Sequence, residues 1–246
     1  MKRQEDVFKK FYDTFRNMEG RLHILEHRIP VEQQLDYFKY SEKVKKSAVE
    51  LNDIDYEQYT EDLESLDRSK AEKKMILSVL ASSKQVRAFR LIERYVQNPD
   101  EGLVNWAYMA LMESRITLES ELSGEKQIYI STGLGGKGES IRFYVLILSY
   151  EGKIFENYQR EVIEKEFRYF MPKNNCEIER LTINDKYVEL VFLIPIRIDI
   201  KALLEEAIQE CNLYGNFLSG LFTLTNVKEL TKEEVLKIID KDEAKD

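Results

Sequence analysis

Cysteine and histidine are nearly missing from this chain, with two of each in 246 residues. Cys176 and Cys211 form neither a C-x-x-C pair nor a disulfide framework, so a redox dithiol and a disulfide-stapled fold are both set aside. Proline and glycine are scarce, four and ten, and regular elements should therefore dominate. No apolar run approaches the roughly 18 residues of a membrane-spanning helix. The longest, residues 188–198, is broken by Glu189, Pro195 and Arg197 and has the length of a strand. Basic excess is lacking too. The net charge is −8 and the pI about 5.2, with about −3 from residues 1–122 and about −5 from residues 123–246. Neither half is a basic module, which weighs against a surface that coats nucleic acid through its phosphates. The N-terminus leads into an amphipathic stretch without an apolar signal core. These absences together lead us to expect a cytoplasmic protein in a reducing compartment, with no membrane association.

What remains is an ordinary globular balance, 43% apolar and 33% charged, on a length that suits one large domain or two small ones. Phe8, Phe11, Phe15, Met18, Leu22 and Leu25 recur every three or four residues, the seam of one helix face. Such a seam predicts a core face, with a homodimer seam as the further option. A second helix is predicted from Val31 to about Ser47, with Leu35, Phe38 and Val44 inward. Residues 50–67 then carry eight acids and no Lys or Arg. This block reads as a solvated linker or as a docking surface for a basic partner.

The run Met75-Ile76-Leu77-Ser78-Val79-Leu80-Ala81 begins a third helical stretch. A fourth carries Val86, Phe89, Ile92 and Val96. Asn98-Pro99-Asp100 breaks the chain, and a fifth carries Leu103, Trp106, Ala107, Ala110 and Leu111. Residues 71–122 so resemble a HEAT-type helical repeat, in which helix pairs stack because none can bury its face alone. The resemblance implies a protein-binding scaffold. Within it, Lys84, Arg87, Arg90 and Arg94 recur every three or four residues and are predicted to share one helix side. That stripe is either a solvated face or a site for an anion or an acidic surface.

After Gly124 the pattern turns to strands. A short strand is predicted over residues 127–132, then the loop Gly133-Leu134-Gly135-Gly136-Lys137-Gly138. A strongly apolar strand follows over 141–149, an amphipathic helix over 153–171, strands over 177–183 and 187–194, a helix over 200–214, a strand over 218–227 and a terminal helix. Asp199 is the predicted cap of the penultimate helix, and Thr231 with Glu234 a capping box for the last. Without its first strand the order is β-α-β-β-α-β, the split arrangement of ferredoxin-like folds. In that fold the first and third strands are central, and 141–149 and 187–194 are indeed the two most apolar runs. The expected class is therefore α+β: an all-helical, HEAT-like domain over 1–122, a ferredoxin-like βαββαβ domain over 127–240 with an extra N-terminal strand, and a disordered tail over 241–246.

Few groups suggest chemistry. His23-Ile24-Leu25-Glu26-His27 spells H-x-x-E-H, the short motif of inverzincin metalloproteases. The seam puts both histidines off the buried face, so no metal and no catalytic residue is expected there. The glycine loop could turn backbone N–H groups on an anion, with Lys137 adding charge. It joins two strands, however, where phosphate loops run from strand into helix. Gly135, Gly136 and Lys137 remain ligand-contact candidates. Glu189 lies mid-strand, and with Arg142 and Tyr144 it would mark a sheet face left open for binding.

The leading expectation is a non-enzymatic regulatory or adaptor protein. Its helical half would take a protein partner, and its α+β half a partner or small ligand. The alternative is a small-molecule sensor or enzyme using the sheet face and the glycine loop. A nucleic-acid binder acting through the basic stripe ranks third, nucleic acid being disfavoured by the net charge. No cofactor is expected.

Overall fold

The computed structural model describes residues 21–47, 55–125 and 127–243. Helices and strands are both abundant, giving a mixed α and β chain. It divides into two compact units, one built from Glu19–Ser131 and the other from Thr132–Asp246. Among the described residues no helix is long and apolar enough to cross a membrane.

The first unit contains β1 (Arg21–Ile24), α1 (Val31–Lys46), α2 (Tyr56–Glu64), α3 (Lys70–Ser82), α4 (Val86–Gln97), α5 (Val104–Ser123) and β2 (Gln127–Ile130). Local chemistry sets the helix ends. The Asp55 carboxylate accepts from the N–H groups of Glu57 and Gln58 at 3.1 and 3.0 Å and so starts α2. Ser69 and Glu72 form a reciprocal capping box for α3, and Gly124, at φ +65, ends α5 in the left-handed conformation. α3 is the central helix and buries Ile76, Leu77, Leu80 and Ala81. It meets Ala107 and Ala110 of α5 and Ala88, Leu91 and Ile92 of α4 in one apolar cluster. The alanines let the backbones approach closely.

Three expectations change in this unit. Residues 21–24 are strand, not the end of a helix. β1 pairs in parallel with β2, Leu22 opposite Ile128 and Ile24 opposite Ile130, and the Leu25 N–H donates to the Ile130 carbonyl at 2.9 Å. β2 therefore does not head the C-terminal unit as an extra strand; its partner lies in the helical unit. The rest of the apolar seam lies outside the described residues, as do residues 50–54 of the acidic block. Finally, α1 turns a different face inward. Leu35 and Phe38 are 52% and 39% exposed, while Gln34, Tyr37 and Ser41 are buried. The reason is Glu113, a buried carboxylate on α5. Tyr37 donates to it at 2.6 Å and Ser41 at 2.7 Å, and Lys45 forms an ion pair with it. A buried carboxylate without partners would cost more than two leucine-sized faces left in water.

The second unit holds β3 (Gly136–Lys137), β4 (Ser140–Ser149), α6 (Asn157–Lys173), β5 (Glu177–Ile183), β6 (Tyr187–Pro195), α7 (Ile200–Asn212), β7 (Leu218–Thr225) and α8 (Lys232–Glu243). β4 pairs antiparallel with β6 on one side and with β7 and β3 on the other, and β5 flanks β6. The inner strands β4 and β6 are thus the two most continuously apolar runs. Their register sets Phe143 opposite Phe192 and Val145 opposite Leu190 on one face, Tyr144 opposite Val191 on the other. α6 and α7 pack on each other and on the edge strands, burying Ile163, Phe167, Leu204 and Ile208. Asp199 caps α7 by accepting from the N–H groups of Lys201 and Ala202. Thr231 and Glu234 box α8.

The second sheet face is not open. Val235 of α8 packs with Tyr144, Leu146 and Val191, and Leu230, Ile238 and Ile239 border the same cluster. The glycine loop also folds inward, with residues 133–136 buried. A Cβ built on Gly133 would lie 1.8 Å from the Val227 carbonyl oxygen. The next N–H, of Leu134, donates to the Asn226 carbonyl at 3.0 Å. Backbone meets backbone here, and a carbonyl cannot swing aside as a side chain could. Gly133→Ala should lower the stability of the C-terminal unit by about 1–3 kcal/mol or more. Calorimetry would read this as a lowered transition for that unit, with the transition followed by Trp106 fluorescence unmoved.

Candidate functional site

The helical unit carries a cavity of about 420 Å³, within the size range of small-molecule pockets. α2 contributes Leu63 and Glu64, and α4 contributes Leu91, Arg94 and Tyr95. The turn that leaves α4 closes it with Asn98 and Asp100. Asn98-Pro99-Asp100 is therefore more than a helix stop, because it brings a carboxylate to the cavity.

Lys73 holds that carboxylate in place. Its side chain is almost fully buried, and its Nζ lies 2.6 Å from Asp100 Oδ2. The Tyr95 hydroxyl donates to the same oxygen at 2.5 Å, and the Asp100 N–H donates back to the Tyr95 oxygen at 3.3 Å. Burial alone would push the Asp100 carboxyl up. The hydrogen bonds from Lys73 and Tyr95 outweigh it and hold the carboxyl below its ordinary value. Burial, and then the Asp100 partner, raise the Tyr95 phenol. At neutral pH the triad thus sets a carboxylate at Asp100 against a neutral phenol at Tyr95.

The basic stripe is differently arranged from its expected form. Lys84 stands before α4, in a turn with φ +55, and pairs with Glu121 at 2.9 Å. Arg87 reaches Glu57 at 3.7 Å and lies over the Tyr56 ring, so one member does meet the acidic block. Arg90 pairs with Glu93 at 2.7 Å. Arg94 lines the cavity.

The other candidates lie in the C-terminal unit. Arg142 donates to both oxygens of Glu179 at 2.5 and 2.7 Å and to the Leu134 carbonyl at 2.6 Å. Tyr144 is fully buried and donates to Glu189 at 2.9 Å. The Asn184 amide donates to the other Glu189 oxygen at 3.2 Å. Gly135 and Gly136 are buried; the Gly135 carbonyl accepts from the Arg142 N–H. Lys137 is exposed and pairs with Glu177 at 2.9 Å. These groups are brought together by the β3–β4–β6–β5 pairing, and the partners named are all internal.

His23 and His27 part company. His23 stacks on Tyr129 and contacts Gln127 and Glu119. His27 stacks on Tyr108 at 3.9 Å between ring centres. Burial lowers the His27 imidazole, more than its hydrogen bond to Asn105 raises it. Strand β1 removes the helical i, i+4 alignment that a shared ion would need. No group of three or more His, Cys, Asp or Glu is placed to hold a metal among the described residues. Both thiols, Cys176 and Cys211, are buried, and burial pushes each up to about 12.

Sequence reasoning missed Glu64, Lys73, Tyr95 and Asp100. Lys73 falls in a Lys-Lys step of an amphipathic helix and Asp100 in a breaker, and no local pattern links positions 27 residues apart.

No protein family model and no curated protein matches the sequence. Several solved structures are similar over part of the chain, among them two transposases. One, from Deinococcus radiodurans R1, is described as a putative transposase. It shares 15% identity and covers 43% of this chain and 95% of its own, at a TM-score of 0.37. The other is a REP-associated tyrosine transposase bound to a REP hairpin, with 10% identity, 42% and 63% coverage and a TM-score of 0.32. The expectation of a non-enzymatic adaptor for protein partners is corrected by these findings: both of these structures are described as transposases, not adaptors. Likenesses this partial do not transfer the transposases' activity to this chain.

Proposed function

We propose that the helical unit binds a small molecule in the cavity between α2 and α4. The observation that carries the reading is a small-molecule-sized hollow beside a hydrogen-bonded Lys73–Asp100–Tyr95 triad. Such a triad fixes the turn at Asp100 rigidly, and a preformed wall is what a small ligand needs. The stack α3–α5 is HEAT-like in this reading but serves as the cavity's frame. The C-terminal unit, with its β7–β4–β6–β5 sheet, is of the ferredoxin-like type. In this reading the domains run over 19–131 and 132–246 in place of the expected 1–122 and 127–240, a division supported by the pairing of β2 with β1.

The test is a thermal-shift and ligand-observed NMR screen of a metabolite panel against the full chain, with a hairpin oligonucleotide as a separate arm. A ligand at 100 times its Kd should stabilise the helical unit by about 2.7 kcal/mol. Leu91→Trp, which fills the cavity, should abolish the shift. Binding that survives Leu91→Trp, or binding by the oligonucleotide alone, would overturn the reading.

A further inference from the structure

Arg94 and Glu64 face the same cavity, carry opposite charges, and do not pair with each other. Neither has an ion-pair partner among the described residues, whereas Arg87 pairs with Glu57, Arg90 with Glu93, and Arg68 with Asp62. What sets this pair apart is placement: two opposite charges line one hollow. Leu63 and Leu91 line the same hollow, as does Leu66, which is 94% exposed. A leucine so open on the edge of a cavity is apolar surface that an occupant would cover.

Building on the small-molecule reading above, we propose that the ligand is a zwitterion of the amino-acid type with an apolar side chain. Its carboxylate would meet Arg94, whose guanidinium offers two parallel donors to a carboxylate. Its ammonium would meet Glu64, with the Asp100 carboxylate adding negative potential from the floor. Its side chain would lie on Leu63, Leu66 and Leu91. Other classes fit worse. A phosphate would satisfy Arg94 but face two carboxylates. A simple cation would satisfy Glu64 and face Arg94. An apolar molecule would strip water from both charges and return nothing.

Isothermal titration of the full chain with L-leucine, N-acetyl-L-leucine and L-leucinamide separates the contributions. Free leucine should bind, and loss of either ligand charge should weaken binding about tenfold or more. In Arg94→Gln, leucine and leucinamide should bind alike. In Glu64→Gln, leucine and N-acetyl-leucine should bind alike. Capped ligands that bind wild type as tightly as leucine would overturn the proposal. So would silence towards all three while another compound of the panel binds and is lost in Leu91→Trp. That last result would leave the cavity reading standing and remove only the ligand class. Silence of the entire panel would remove both.

Discussion

Asp100→Ala is expected to destabilise the helical unit by about 3–5 kcal/mol, the cost of leaving a buried charge without its partner. The stranded group is Lys73, 2% exposed, whose ammonium lies 2.6 Å from the lost oxygen. The Tyr95 hydroxyl loses its acceptor in the same step. Trp106 is the chain's single tryptophan and packs in this unit against Tyr37 and Tyr40. Urea unfolding followed by its fluorescence therefore reads the helical unit alone. Lys73→Met in the Asp100→Ala background should recover about 2 kcal/mol or more, because it removes the stranded charge. An additive double mutant would show that the two groups do not act as a pair. The acid side supplies a second readout. The Asp100 carboxyl sits below its ordinary value when folded. Its contribution is present above about pH 4 and is lost as pH falls through the folded value. Asp100→Asn should flatten that acid limb.

The sequence was most legible where hydrophobic pattern and capping chemistry agree. The runs at 141–149 and 187–194 are long and apolar enough to predict inner strands, and β4 and β6 occupy those places. Thr231 with Glu234, and Asp199, predicted helix starts from side chains that bond their own neighbours. What could not be read was anything decided across the chain. Leu22 and Leu25 continue a helical spacing, yet residues 21–24 pair with a strand more than a hundred positions away. Leu35 and Phe38 look inward by hydropathy, but Glu113 on another helix decides which face of α1 is buried. Residues 127–130 are a strand as predicted, assigned to the wrong neighbour because pairing partners leave no local mark. The candidate cavity has the same character. Arg94 was visible as part of a stripe, while Glu64 looked like one acid among eight.

Glu113→Leu should destabilise the helical unit by about 3–5 kcal/mol. The carboxylate accepts from Tyr37 at 2.6 Å and from Ser41 at 2.7 Å. Both donors are buried, Tyr37 completely. A leucine fills the volume but accepts nothing, so two hydroxyls lose their acceptor, each at about 1–3 kcal/mol. Lys45, which is about half exposed, can return to water and adds little. Glu113→Gln keeps an acceptor and should cost less than Glu113→Leu. If the two variants cost the same, shape and not hydrogen bonding governs the site. Tyr37 also fixes the alkaline behaviour. Burial, then the Glu113 charge, raise its phenol well above the ordinary value. A folded value raised in this way gives stability that is fully present below about pH 10 and lost as pH rises above it. Tyr95, raised likewise, shares in that limb. In Tyr37→Phe the alkaline loss should shrink, at the expense of stability at neutral pH, where Glu113 would then depend on Ser41 and Lys45. An alkaline limb of unchanged slope in Tyr37→Phe would place the titrating group elsewhere.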